Sequence, residues 1–489
     1  MNAKNILFAT SEVHPLIKTG GLADVSGSLP IAIKTMRKDI RIVMPAYQSV
    51  LSKVHDIKTV SHLHIPSTDS HITILETLLP GSSVKVWLID SPECFDRAGS
   101  PYADENGKEW DDNARRFTIF SRAITALALN KAGLDWQPDI VHCNDWQTGL
   151  VPALLAQELE RPATIFTIHN LAYQGLFSRD IFNHLGLPPS FFDHNSMEFY
   201  EKISFIKGGI IYADEINTVS PRYAQEICTP EFGAGLDGLL NVRKDHLTGI
   251  LNGTDYTQWN PARDPYLHQT YNAHSLDKKL DNKMAIQRHF NLPVDPNIPL
   301  IGMIGRLETQ KGIDFFLDAL PSLTGEALQF VILGSGDKTL ENRLLSAQQN
   351  MPDQLAIHIG YSEAIAHQIE GSTDIFLMPS RFEPCGLNQL YSLRYGTVPI
   401  VRETGGLADT VINATPESIL NTTATGITFQ EPSASALLDA ISHALALYKE
   451  PKLWKKLVFN GMQKDHSWRR SAKNYLDLYQ QAQQTRTQA

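Results

Sequence analysis

The sequence predicts an α/β protein of two doubly wound, Rossmann-like domains facing each other, and three observations predict it. Short apolar runs alternate with helical patterns through the first half of the chain, and the alternation restarts at Leu300. Each run ends in glycine or small polar residues, as a parallel strand does where it hands over to a loop and a helix. The hexapeptide Thr-Gly-Gly-Leu-Ala-Asp stands at Thr19–Asp24 and again at Thr404–Asp409. That is one loop-to-helix device used in each half, not the period of a repeat protein.

Taken in order, Asn5–Thr10 is an apolar run with a polar end, a first strand. Ser11–Pro15 and Lys18–Val25 follow, and the glycines lead into a helical pattern that runs through Ile31 and Met36. Further strands are expected at Arg41–Met44, Ile72–Leu78 and Val84–Ile89, with a helix from Asn113 to Lys131. Asp139–His142 delivers Asn144, Asp145 and Trp146, and Thr164–Ile168 delivers His169 and Asn170. Asp214–Val219 is read as the last strand of this half, with a boundary near Arg243–Thr248. In the second half, Leu300–Ile304 ends in Gly305-Arg306-Leu307, and Phe330–Leu333 ends in Gly334-Ser335-Gly336-Asp337. Leu355–Ile359 ends in Gly360-Tyr361. Ile375–Met378 ends in Pro379 and the loop Ser380–Leu387, before a helix from about Asn388. Val398–Val401 then leads to the second glycine loop, and the tail from Ser433 is helical.

Composition narrows the function classes. The 489 residues suffice for two or three domains, and 42% hydrophobic and 20% charged residues describe an ordinary globular protein. A formal net charge of −10 argues against non-specific nucleic-acid binding. The four cysteines, Cys94, Cys143, Cys228 and Cys385, are widely spaced, which fits a reducing compartment and no disulfide framework. Met1–Asn5 runs straight into a strand with no signal-peptide pattern, and no apolar stretch reaches membrane-spanning length. A soluble cytoplasmic protein is expected.

Open parallel sheets bind ligands outside the carboxyl ends of their strands, so the chemistry is sought on those loops. Lys18 before two glycines at a helix start offers an ammonium and backbone N–H groups to a diphosphate; alone it reads as a surface lysine before a cap. Arg306 and Lys311, five apart on one loop, are placed to grip both phosphates of a leaving nucleotide, or are a solvated pair. Gly405 and Gly406 after Thr404 repeat the anion-site pattern, with the helix dipole behind it. Glu383 lies on the loop before them as a candidate active-site carboxylate, or as a turn feature with Pro384. His169 is a donor to a sugar hydroxyl or a backbone carbonyl, Asp145 a candidate acid or a helix cap, Cys385 a small packing residue. Asn252-Gly253 is an ordinary turn signal. No Asp-x-Asp sequence and no His/Cys cluster with metal spacing occurs, so no metal and no cofactor is expected. Cationic side chains and helix ends are then left to stabilise a departing phosphate.

These residues carry a family resemblance. The chain resembles bacterial glycogen synthases and plant starch synthases in Lys18–Val25, in Tyr102 through Trp110–Asn113 to Arg116-Phe117, and in His142–Trp146. The match continues in Thr167–Gly175, Asn217–Pro221, Gly249–Asp255 with Trp259-Asn260-Pro261, Arg306–Gly312, Arg381–Leu387 and Thr404–Val411, then Ser467-Trp468 and Tyr475. The resemblance implies the GT-B glycosyltransferase architecture with the active site in an interdomain cleft. It implies an N-terminal, acceptor-side domain over 1–246 joined by a C-terminal helix over 467–489, and a donor-side domain over 247–466. It implies retaining transfer of glucose from ADP-glucose to the non-reducing end of an α-1,4-glucan, in glycogen biosynthesis. By the same resemblance Lys18, Arg306 and Lys311 hold the donor phosphates, and His169 and Asn252 bind donor-glucose hydroxyls. Glu383 lies beneath the glucose with Cys385, Gly386 and Leu387 lining its pocket, and Asp145 faces the reacting centre and acceptor. Gly20, Gly21, Asp24, Asn170, Tyr361, Thr404, Gly405 and Gly406 complete the substrate-binding set.

Departures from the family pattern are small. Thr254 stands where an apolar residue is expected and Asn217 where Thr is common. Tyr391 occupies the place where many retaining transferases of this fold carry a second Glu. Because donor and product are both α-linked, the configuration is retained; a double displacement would need a nucleophile on the sugar's opposite face, and the resemblance implies instead front-face return, with the departing phosphate helping to deprotonate the incoming hydroxyl. A phosphorylase would need a pyridoxal-phosphate lysine and a longer chain. A non-catalytic glucan-binding relative sits poorly with an intact Lys18, His169, Arg306, Lys311 and Glu383. Oligomeric state has no signature in the sequence.

Overall fold

The computed structural model describes residues 3–65 and 69–488. The chain divides into two compact units, Met1–Gly253 with Trp468–Ala489, and Thr254–Ser467. The first unit is built on nine strands: β1 (Asn5–Ala9), β2 (Asp39–Pro45), β3 (Lys58–Ile65), β4 (Ser70–Leu78), β5 (Lys85–Asp90), β6 (Ile140–Asn144), β7 (Ala163–Ile168), β8 (Glu215–Thr218) and β9 (Leu247–Gly249). Their order across the sheet is β9-β8-β7-β6-β1-β2-β5-β4-β3. The β3/β4 and β4/β5 pairs are antiparallel, the others parallel. Every residue of β6, β7 and β8 is buried, including the polar His142, Asn144, Glu215 and Asn217. β3 went unread: Lys58-Thr59-Val60-Ser61-His62-Leu63-His64-Ile65 is half polar, and only Leu63 and Ile65 are buried. The sheet also continues past Asp214–Val219, because β9 pairs with β8 through the stretch where a boundary is expected from sequence.

Strand order reverses at β1, which lies between β2 and β6. The loops leaving the carboxyl ends of β1 and β6 therefore diverge to opposite faces and leave a crevice between them. The helix Trp468–Gln488 belongs to this unit and buries Tyr475 and Tyr479. A chain of buried polar groups ties it to the sheet. The Tyr479 hydroxyl lies 2.9 Å from His142 Nδ1, and His142 Nε2 lies 2.6 Å from Thr167 Oγ1. The Thr167 hydroxyl in turn donates to Asn217 Oδ1. With that hydroxyl committed, His142 donates through Nε2 and accepts the tyrosine proton at Nδ1. Burial holds the imidazole neutral, its pKa lowered to about 3. Asn217, a departure from the family pattern, ends this chain as an acceptor, a role open to any short side chain with an oxygen.

The second unit is a six-stranded parallel sheet of β10 (Leu300–Ile304), β11 (Gln329–Gly334), β12 (Leu355–Ile359), β13 (Ile375–Met378), β14 (Val398–Arg402) and β15 (Ile427–Phe429). Its order is β12-β11-β10-β13-β14-β15, so the switch point lies between β10 and β13. Behind the sheet, the Trp259 indole is sandwiched between His367 and Tyr391, with both ring-centroid distances 3.8 Å. Asp264 accepts from His367 Nδ1 at 2.7 Å and from the Tyr395 hydroxyl at 2.6 Å. Tyr391 thus packs as a flat aromatic surface against Trp259.

Replacing Tyr479 with Phe leaves His142 Nδ1 buried without its donor. Such a loss costs about 1–3 kcal/mol. Urea unfolding is expected to show the transition of the first unit shifted to lower denaturant by that amount, with that of the second unit unmoved.

Candidate active site

In the first unit the loop after β1 is organised by a residue not singled out from sequence. Glu12, 3% exposed, accepts the Thr19 N–H at 2.5 Å, the Thr19 hydroxyl at 2.6 Å, the Gly20 N–H at 3.3 Å and the Tyr102 hydroxyl at 2.5 Å. The backbone N–H groups of Thr19 and Gly20 are therefore spent on a carboxylate and do not point to a phosphate. What the loop presents to solvent is Lys18, Thr19, Gly20 and Gly21, all exposed. Lys18 Nζ is held 2.7 Å from Asp24 Oδ1, and both groups keep partial exposure. The signal that might have revealed Glu12 is an acidic residue directly after a buried strand, flanked by Ser11 and Val13.

The loops after β6 and β7 meet at Asp145 and His169. Asp145 Oδ1 accepts the His169 N–H at 2.8 Å, and Asp145 itself has φ 55°, a backbone conformation rare for a residue with a side chain. Burial raises the Asp145 carboxyl to about 7, against the pull of the His169 and Asn170 N–H groups. The Asn144 amide donates to the Ala9 carbonyl at 2.9 Å, which turns its oxygen toward His169 Nε2, also at 2.9 Å. His169 thus donates to a side-chain carbonyl, and its other ring nitrogen is an acceptor. Burial lowers its pKa to about 3, so it is neutral throughout the working range. Asn170 closes a tight turn by accepting the Ala172 N–H at 3.0 Å.

Asn252 is buried at 6% exposure, and its Oδ1 is a buried atom without a hydrogen-bond partner. Gly253 is more than a turn signal. A Cβ there would come within 2.5 Å of the Trp468 Cα, so only glycine lets the last helix enter so close.

In the second unit, three loops converge on Glu383. The loop after β10 carries Arg306, 3.0 Å from Glu308, and Lys311, whose Nζ lies 2.6 Å from Glu383 Oε2. The loop after β13 carries Glu383, which also accepts the Ser380 hydroxyl at 3.0 Å. Its flank is fixed by Arg381, paired in two contacts of 2.7 Å with Asp314 and stacked 3.9 Å over Phe315. Lys311 reaches Glu383 because Gly312, at φ 70°, packs against the Pro379 carbonyl, leaving 2.1 Å where a Cβ would go.

The loop after β14 is the second glycine loop, and here the structure corrects the reading from sequence. Thr404, Gly405 and Gly406 are buried, and the Gly406 N–H donates to the Glu383 and Pro384 carbonyls at 3.1 Å. A Cβ on Gly405 would meet the Glu383 carbonyl at 2.0 Å, and one on Gly406 the Cys385 carbonyl at 2.2 Å. The two glycines brace the backbone under Glu383 and Cys385; the Gly406 N–H is not directed at an anion. The helix they open, Gly405–Thr410, is only six residues long. Cys385 is buried, Gly386 has φ 69°, Leu387 precedes the helix Asn388–Tyr395, and Tyr361 is 67% exposed beyond the end of β12. The four cysteines form no disulfide.

Chemically, the second unit offers a carboxylate held by an ammonium and a hydroxyl at the switch point of a parallel sheet. The first unit offers an exposed lysine loop, a neutral imidazole and a carboxyl poised near neutrality. A starch synthase catalytic domain matches residues 5–242, and a glycosyl transferases group 1 domain matches residues 286–459. The chain is 56% identical to the glycogen synthase of Thioalkalivibrio sulfidiphilus, over 97% of its own length and 99% of that protein. It is 53% identical to glycogen synthase 1 of Methylococcus capsulatus, over 98% and 96% of the two chains. Among solved structures, the catalytic domain of starch synthase IV from Arabidopsis thaliana, bound to ADP and acarbose, superposes with a TM-score of 0.89 at 32% identity, covering 99% of this chain and 100% of that one. The sucrose-phosphate synthase of Thermosynechococcus elongatus, at 18% identity and a TM-score of 0.61 with 98% of each chain covered, shares the fold alone.

The raised carboxyl gives a pH test. Asp145 keeps its proton up to about pH 7 when folded but releases it near its ordinary value of 3.8 when unfolded. Its contribution to stability therefore falls as pH rises from about 4 to 7 and is level above. Asp145→Asn removes that fall. Urea midpoints of variant and parent are expected to diverge in favour of the variant across this window, and to keep a constant separation at higher pH.

Proposed function

Because the chain belongs to the glycogen and starch synthase family of glycosyltransferases, we propose that it is a glycogen synthase using ADP-glucose. It transfers glucose to the non-reducing end of an α-1,4-glucan and retains the anomeric configuration. The observation that carries the reading is the Lys311–Glu383 pair at the switch point of the second sheet, where a family of this architecture handles a nucleotide sugar. The ADP in the starch synthase IV structure supports adenine as the donor base.

In this reading Lys18, Arg306 and Lys311 take the donor phosphates. Each charge-assisted hydrogen bond contributes about 1.5–3 kcal/mol, and more as negative charge builds on the leaving ADP. Lys18 and Lys311 rest against Asp24 and Glu383. A diphosphate reaching either lysine exchanges that lysine's anionic partner for a stronger one. Glu383, held by Ser380 and by the braced loop beneath it, offsets the positive charge that develops at the anomeric carbon. Neutral His169 accepts a sugar hydroxyl at the ring nitrogen not bound to Asn144, and the buried Asn252 oxygen accepts another. Asp145 orients the acceptor, its carboxyl near neutrality able to hold or release a proton. The departing phosphate takes the proton of the acceptor 4-hydroxyl on the face it leaves, which retains configuration without a covalent sugar–enzyme intermediate. Gly20, Gly21, Asn170 and Tyr361 line the approach. Cys385, Gly386 and Leu387 form the wall beside the glucose, and Thr404, Gly405 and Gly406 support it. Among the described residues no helix is long and apolar enough to cross a membrane, and the reading is of a cytoplasmic enzyme.

Radiolabelled transfer to glycogen tests the donor. Incorporation from ADP-glucose is expected to exceed that from UDP-glucose and to be unchanged by EDTA. A preference for UDP-glucose would overturn the base assignment. Replacing Glu383 with Gln keeps the size and the Ser380 contact but removes the charge. The expected outcome is a kcat at least about a hundredfold lower with donor KM changed little; equal losses in both would reduce Glu383 to ground-state binding.

A further inference from the structure

We propose that the outer face of the β3–β4 hairpin binds a divalent transition-metal ion of the zinc class through His64, Asp69 and His71. Burial alternates over Leu63–Ile65 and His71–Ile74. Leu63, Ile65, Ile72 and Ile74 are buried against the unit, while His62, His64 and His71 are exposed on the opposite face. His64 and His71 are direct cross-strand partners. Their rings stack with centroids 4.6 Å apart and planes 20° from parallel. Asp69 Oδ1 lies 3.2 Å from His64 Nε2. One ligand atom from each of the three residues falls within 4.8 Å of the others, and no other group of three such side chains does so among the described residues.

Zinc binds imidazole nitrogen and carboxylate oxygen at about 2.0–2.2 Å. The backbone already places the ligands on one face, and exposed side chains close the remaining distance by turning about their own torsions. Two nitrogens and one oxygen select zinc, copper or nickel over magnesium or calcium, which take oxygen ligands. Three protein ligands leave a position for water. His62, two residues along the same face and 3.4 Å from Thr73 Oγ1, lies next to the set. The site is separate from the transfer chemistry: β3 is the edge strand, and β2, β5 and β4 stand between it and β1, whose loop carries Lys18. No linear spacing announces it, because the ligands come from two strands.

The test is calorimetric titration of the full chain with zinc chloride, and zinc retained after dialysis against excess magnesium. One zinc per chain is expected for the parent and for His274→Gln, a control replacing an exposed histidine elsewhere. The double variant His64→Gln/His71→Gln is expected to bind at least about tenfold more weakly, while its glucosyl transfer matches the parent and reports an intact fold. No zinc retained by the parent, or the same uptake by the double variant, would overturn the proposal.

Discussion

Burying a carboxylate is costly unless it is paired, and Glu383, 6% exposed, is paired by Lys311 at 2.6 Å and by the Ser380 hydroxyl. Removing one partner of a buried pair typically costs about 3–5 kcal/mol, so three loops are committed to keeping this one. Gly312 brings the lysine loop onto Pro379. Gly405 and Gly406 bring the third loop under the Glu383 and Cys385 carbonyls. A side chain at any of the three glycines would push apart the loops that hold the pair. The packing of the second unit and its chemistry therefore rest on the same contact.

The first unit solves a related problem with the signs exchanged. Glu12 gathers the Thr19 and Gly20 N–H groups and the Tyr102 hydroxyl, and so fixes the loop that presents Lys18. The same hexapeptide thus has two uses. At Thr19–Asp24 its first three residues are exposed and it opens a fifteen-residue helix. At Thr404–Asp409 its first residues are buried as a floor. Both lysines rest on carboxylates, Lys18 on Asp24 and Lys311 on Glu383, which keeps each ammonium oriented.

Much of this was legible in the sequence, for physical reasons. Strands buried on both faces, such as Thr164–Ile168 and Ile375–Met378, are unbroken apolar or small runs, and the loops they deliver follow directly. Asp145 and His169 follow such strands directly, and Lys311 and Glu383 lie on the loops that leave them, which is what makes them candidates. β3 escaped because an edge strand shows one polar face, and β9 because three residues carry no periodicity. Glu12 escaped because a single acid in a loop has no pattern. The burial of Gly405 and Gly406 depends on carbonyls contributed by another loop, and an identical hexapeptide cannot show which neighbours it will meet. Tyr391 was legible as a departure, but its stacking on Trp259 depends on a segment more than a hundred residues earlier.

In the proposed reading Lys311 and Glu383 act as one unit, the lysine on the leaving phosphate and the glutamate on the reacting carbon. The most direct test is a double-mutant cycle on kcat with ADP-glucose, using Lys311→Met, Glu383→Gln and the combined variant. The account predicts that the combined loss falls well short of the product of the two single losses, because either change alone disables the pair. Losses that multiply would contradict it, leaving two residues that contribute independently and a resting contact without functional meaning.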